Sequence, residues 1–128
     1  MDRALVAAGL LALVAIATAA VRRRPSAPPE RVKPPEVGLD STRGVGVVGF
    51  STPYCLPCQA WEAALHEAGI PFAKIDVAER PDLARRYGVR STPLVLAVAL
   101  PRGEVLASFD DAPSDGEVER ITALARRG

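Results

Sequence analysis

The sequence predicts an α/β fold with a central four-stranded mixed sheet, element order β-α-β-α-β-β-α, behind an N-terminal transmembrane helix. Three observations carry that expectation. An apolar run, Val45 to Phe50, leads through Cys55-Leu56-Pro57-Cys58 into a helical pattern from Gln59 to Ala68. Beyond it, strand-like and helical patterns alternate until two apolar runs meet at a Pro-Arg-Gly turn, the mark of a hairpin. Ahead of it lies an uncharged stretch, Ala4 to Val21, close to the length that spans a bilayer.

At 128 residues the chain has room for one domain and an appendage. Residues are 48% hydrophobic but only 5% aromatic, so the core must be aliphatic. The formal net charge is +1, and no basic stripe is interleaved with aromatic residues, so nothing points to a nucleic-acid partner. Two cysteines make no disulfide framework, and their number leaves the compartment open.

Residues 1–24 read as a membrane anchor. As a helix, the uncharged run 4–21 would span roughly 27 Å, against a hydrocarbon core of about 30 Å. Its abundant alanine favours insertion less than leucine would. A cleaved signal peptide is the rival reading, since Ala17-Thr18-Ala19 has the A-x-A form of a cleavage site. Arg22, Arg23 and Arg24 follow almost at once, where a positive cluster holds a chain at the membrane face, and this favours an uncleaved anchor. Flanking charge also predicts orientation. Arg3 and the terminal amine precede the run, whereas Arg22, Arg23, Arg24, Arg31 and Lys33 follow it. Lys and Arg near a span stay cytoplasmic, so the protein is expected to be single-pass with its C-terminal domain in the cytoplasm. An exported domain held by an uncleaved signal is the alternative.

Residues 25–43 read as a linker. Pro25, Pro28, Pro29, Pro34 and Pro35 interrupt any helix, and Arg31 and Lys33 make the segment extended and solvated. At about 3 Å per residue it would reach up to roughly 60 Å as a spacer.

Residues 44–128 form the domain. Val45, Val47, Val48 and Phe50 make a short buried strand bounded by Gly44 and Ser51. The helix after the cysteines carries Trp61, Ala64, Leu65 and Ala68 at helical spacing and stops at Gly69. Pro71 to Val77 reads as a second strand. Pro81 opens a short helix with Leu83 and Tyr87 on one face and Gly88 at its end. Leu94 to Leu100 and Glu104 to Phe109 are two strands joined by Pro101-Arg102-Gly103. The last helix starts at Ser114, with Glu117 placed for a capping box and Val118, Ile121 and Ala125 on its buried face. The first two crossovers predict parallel strands, and the hairpin then adds an antiparallel one.

Cys55 and Cys58 carry the chemistry. Three residues apart on a first helical turn, their sulfurs can approach closely enough to bond. The helix N-terminus favours the thiolate of the first cysteine through its free N–H groups and positive dipole end. The thiolate is the nucleophile of thiol–disulfide exchange, so Cys55 should attack and Cys58 resolve. Pro57 fits the first turn, where an N–H has no partner.

Phe50-Ser51-Thr52-Pro53-Tyr54-Cys55-Leu56-Pro57-Cys58 resembles the strand and C-x-P-C active site of the thioredoxin family, with Tyr54 where a tryptophan is common. Pro81 to Pro93 is similar to that family's second helix and the loop to its cis-proline, and Gly103-Glu104-Val105 to its last hairpin turn. The resemblance covers residues 44–127 and implies a minimal thioredoxin-like fold, because the residues between the prolines and the first strand are too few for the family's extra strand and helix. It implies a cis peptide at Thr92-Pro93 beside the sulfurs, with the Thr92 backbone free to pair with a substrate peptide. Tyr54, Leu56, Pro57, Thr92 and Pro93 are then the substrate-binding residues. No cofactor and no metal are called for.

Three departures stand out. Lys74 sits where the family keeps a lysine paired with a buried acid, but the acid's position is Gly49. Cys58 must then lose its proton to water or to Lys74, a base whose pKa burial would lower. Alternatively Lys74 points to solvent. The second departure is the short start. The third is Phe109-Asp110-Asp111, where the family often has a glycine. His66, the only histidine, reads as a solvated surface residue, and with Cys55 and Cys58 it would supply three metal ligands at most, against the four of a structural zinc site.

The functional expectation is a membrane-tethered thiol–disulfide oxidoreductase. Its partners would be protein disulfides, an unidentified thiol redox partner and the membrane through residues 4–21. Pro57 is similar to the reducing members of the family. The alternative is a tethered binding module whose cysteine pair is structural or regulatory. A cis-proline against a half-exposed Cys55 would favour exchange; two buried sulfurs would favour structure.

Overall fold

The computed structural model describes residues 2–22, 27–40 and 43–127. In chain order the elements are α1 (Asp2–Arg22), a 3-10 turn (Pro34–Val37), β1 (Val45–Ser51), α2 (Leu56–Glu67) and β2 (Ala73–Asp76). Then come α3 (Pro81–Arg86), β3 (Leu94–Ala99), β4 (Glu104–Phe109) and α4 (Asp115–Arg127). The order after the linker is the expected one, and the four strands form one sheet in the order β2-β1-β3-β4.

Alternation along the strands sorts side chains onto two faces. Val47, Val95 and Ala97 pack with Trp61 and Leu65 of α2 and Ile121 of α4. Val48, Phe50, Leu94, Leu96 and Val98 face the other way, against Leu83 and Tyr87. The core is largely aliphatic, as the composition requires. Trp61 rests on Phe109, ring centroids 5.4 Å apart, and donates its Nε1–H to the Asp111 carbonyl at 2.6 Å. Ser114 and Glu117 close the predicted capping box: Ser114 Oγ accepts from Glu117 N–H, and Ser114 donates its backbone N–H to the Glu117 carboxylate.

One pairing departs from expectation. β1 and β2 are parallel, but β3 runs antiparallel to β1, so the second crossover does not return the chain to the start of the sheet. The reason is length. α3 has six residues and rises about 9 Å, whereas β1, with seven, spans roughly 23 Å. The chain passes sideways over β1 at the same end of the sheet, turns at Pro93 and runs back.

The segment read as a solvated spacer also departs from expectation. Val32 and Val37 are 1% exposed and belong to the core with Leu39. Arg31 bridges Glu104 at the edge of β4, Val32 N–H donates to the Gly103 carbonyl, and Val105 N–H donates to Glu30. Lys33 N–H donates to the Tyr87 hydroxyl, and Arg86 pairs with Glu36. Burying two valines contributes about 1.5–3 kcal/mol each, which offsets the cost of ordering a short proline-rich run. The proline-rich run thus packs on the domain through an isolated bridge at Arg31 and a 3-10 turn over Pro34–Val37.

Leu5, Leu10, Leu11, Leu13 and Ile16 of α1 are all more than half exposed. Among the described residues no helix is long and apolar enough to cross a membrane. Side chains of α1 are described only as far as Ile16, so the end of the span expected over 4–21 lies outside that description.

Candidate active site

β1 ends and α2 begins at the two cysteines, which close a disulfide. Cys55 is the N-cap of α2, in extended conformation (φ −91°, ψ 106°), and its Sγ accepts the Cys58 N–H at 3.2 Å. A helix-opening N–H therefore points at this sulfur, the arrangement that favours a thiolate there. Leu56 and Pro57 occupy the first turn, where proline costs no hydrogen bond. The pair is asymmetric: Cys55 is half-buried, whereas Cys58 is 3% exposed.

The residues expected to meet substrate fall into two groups. Tyr54 and Leu56 are 94% and 75% exposed and flank Cys55 as an apolar rim. Thr92-Pro93 is a cis peptide, Pro93 is buried, and Pro93 and Cys58 line the same cavity. Thr92 instead faces a groove along α3 with Thr52, Arg85 and Arg90. Leu100-Pro101 is a second cis peptide, in the hairpin turn, where the sequence announced only turn residues. His66 is exposed near the end of α2.

Lys74 does not sit as a buried, unpartnered base. Its side chain is 51% exposed, and its ammonium meets Glu62 Oε1 at 2.8 Å. The hydrogen bond that Lys74 donates to Glu62, reinforced by that carboxylate's charge, raises the Lys74 pKa above the ordinary 10.5, opposite to the direction burial would give. Glu62 was not singled out in the sequence. The available signal was its spacing: four residues after Cys58, it lies on the same face of α2. Ser51 was read only as a strand boundary. Its hydroxyl is buried without a hydrogen-bond partner and lines the cavity beside Cys58.

That arrangement is competent for thiol–disulfide exchange, with one accessible sulfur at a helix N-terminus and a second one packed behind it. Comparison with known proteins agrees. The thioredoxin family model matches residues 37–121. Thioredoxin H2 of Arabidopsis thaliana is 31% identical over 83 residues, covering 61% of each chain, so the match spans less than two thirds of that relative's length. Thioredoxin of Bacillus subtilis is 34% identical over 73 residues, covering 52% of this chain and 68% of its own. Among solved structures, a thioredoxin variant from Halobacterium salinarum superposes with a TM-score of 0.60 at 25% identity, covering 79% of this chain and 96% of its own. A family match over most of the folded region, with the C-x-P-C turn inside it, means that this chain belongs to the thioredoxin family.

Proposed function

We propose that the chain is a thiol–disulfide oxidoreductase, tethered to a membrane through α1 and acting as a reductase of protein disulfides. The observation that carries this reading is the asymmetric disulfide: Cys55 half-buried at a helix N-cap, Cys58 buried behind it. In the reduced protein the Cys55 thiolate attacks a substrate disulfide and forms a mixed disulfide. Cys58 then attacks Cys55, and the substrate leaves with both of its sulfurs reduced. Tyr54 and Leu56, which flank Cys55, and Pro93, which lines the cavity beside Cys58, would supply the peptide-binding rim, with a thiol redox partner regenerating the dithiol. A purely structural or regulatory disulfide, the binding-module alternative, is less well supported, because the first sulfur is not buried. The exposed leucines of α1 and the uncharged run 4–21 support the tether, and the arginines after that run support a cytoplasmic domain.

The test uses the full chain in detergent micelles with a dithiol supplied. It should reduce insulin. Cys58→Ser should trap a mixed disulfide through Cys55, and Cys55→Ser should trap none. Absence of insulin reduction, together with no trapped species, would sink the proposal.

A further inference from the structure

The groove along α3 carries charge that the exchange of sulfurs does not use. Its volume is about 300 Å³. Val77, Ala84 and Val89 give it a half-buried apolar floor. Thr52 and Thr92 bound it toward the cysteines: the Thr52 carbonyl accepts the Cys55 N–H at 3.3 Å, and Thr92 precedes the cis-proline. Arg85 and Arg90 also line it, and both are exposed. The other arginines of this region are engaged. Arg80 meets Asp82 at 3.1 Å, and Arg86 pairs with Glu36. Among the described residues Arg85 and Arg90 form no ion pair. Of the nearby acids, Asp82 is held by Arg80, Asp76 accepts the Ala78 N–H, and Glu79 does not line the groove. Across the sheet the sign reverses. Val77 follows β2 and Thr52 follows β1, so the groove opens on the β2 side of Pro93. β4 ends at Phe109, opposite Val95, so the exposed Asp110 and Asp111 emerge at the same end of the sheet but on the β4 side. The Asp111 carbonyl is fixed there by the Trp61 Nε1–H.

We propose that this groove seats an acidic side chain of the substrate polypeptide, on one side only of its reacting cysteine, with Arg85 and Arg90 as the specificity-determining residues. The inference rests on the exchange reading above and narrows its substrate class to disulfides with an acidic flank. A carboxylate between two guanidinium groups gains charge-assisted hydrogen bonds, and the apolar floor takes the methylenes that carry it. An acidic residue on the opposite flank meets Asp110 and Asp111 instead, and like charges across an interface count against that partner. The two signs therefore set the direction in which a substrate segment lies across Cys55. Neither arginine lines the cavity beside Cys58, so their effect falls on which disulfide is presented and not on the sulfur chemistry.

Two measurements test this on the full chain in detergent micelles. In the first, the probes are short peptides whose single cysteine is joined to a coloured aromatic thiol. Their flanks are alanine on both sides, glutamate on the N-terminal side, glutamate on the C-terminal side, and the two lysine counterparts. Release of the coloured thiolate reports attack by the reduced protein. One glutamate peptide, and not the other, should react on the order of 5-fold faster than the alanine peptide at low salt. That ratio should fall toward one in about 0.5 M salt, where screening is strong. In the double variant Arg85→Glu, Arg90→Glu the ratio should invert in favour of lysine on the same flank. The double variant Arg85→Lys, Arg90→Lys should keep the glutamate preference, which a merely structural role for the arginines does not explain. Equal rates for all peptides, equal acceleration by both glutamate peptides, or a preference that survives charge reversal would overturn the assignment. The second measurement titrates oxidised protein with the favoured glutamate peptide, its cysteine replaced by serine, and follows backbone amides by NMR. Arg90, Ser91 and Thr92 should shift with the glutamate peptide and not with its lysine counterpart. Equal shifts with both, or none with either, also overturn the assignment. Where no peptide releases thiolate, the exchange reading fails and each glutamate peptide is titrated in turn, so the groove is still judged by the shifts.

Discussion

Cys55 and Cys58 are three residues apart but occupy different surroundings, and the helix they open is the cause. The cap position leaves the first sulfur facing the Cys58 N–H and the protein surface, while one turn of helix carries the second to the buried cavity that Pro93 also lines. Lys74 illustrates how a single contact reverses an electrostatic expectation. Paired with Glu62, it is held above the ordinary 10.5, so its folded-state pKa exceeds its unfolded one. The pair's contribution to stability is therefore fully present below about pH 10 and is lost as pH rises through the folded value. Half-exposed and screened, that contribution is small. Urea denaturation should show a slightly lower midpoint for Lys74→Met at pH 7, and the gap from wild type should close above the folded value. A gap that widened at alkaline pH would contradict the pairing. Gly49→Asp should place a carboxylate beside apolar Val95 and cost about 1–3 kcal/mol, read as a lower urea midpoint at pH 7.

At the scale of elements, the hairpin β3–β4 and the linker depend on each other at Gly103. That glycine has φ 87°, a conformation other residues adopt at a cost, and a Cβ there would collide with the Val32 carbonyl oxygen. Gly103→Ala should therefore cost more than about 1 kcal/mol. The loss should appear as a lower urea midpoint together with faster amide exchange at Val32 and Val105, whose N–H groups join the two segments. Unchanged exchange there would mean that the linker docks independently of the turn. The elements themselves were legible, because helical and strand periodicities are local properties of a chain. The direction of β3 was not. It depended on whether six helical residues can recross a sheet, a comparison of lengths that requires knowing where α3 lies.

For the whole molecule, the packed linker shortens the spacer. Glu30 to Leu39 lies against the domain, so the reach of about 60 Å expected of nineteen extended residues does not apply to its full length. The proposal of a membrane-tethered domain on the cytoplasmic side makes a direct prediction for cells. With intact cells, a membrane-impermeant thiol reagent applied after mild reduction should label Cys55 only once the cells are lysed. Labelling in the intact sample would place the domain outside, and the compartment would then favour oxidation over reduction.

The sequence by itself determined the order of elements, the C-x-P-C turn at the head of α2 with Cys55 at the helix start, and the capping box of α4. Each of these rests on residues within a few positions of one another, so spacing along the chain was enough. Tertiary structure decided what depended on distant segments meeting. It turned β3 antiparallel and drew Val32 and Val37 from a proline-rich run into the core. Across the space left by Gly49, it also set Glu62 against Lys74 and left the Ser51 hydroxyl buried beside Cys58. Residues 49, 51, 58, 62 and 74 come from two strands and a helix, and only packing those elements on one face of the sheet brings their chemistry together.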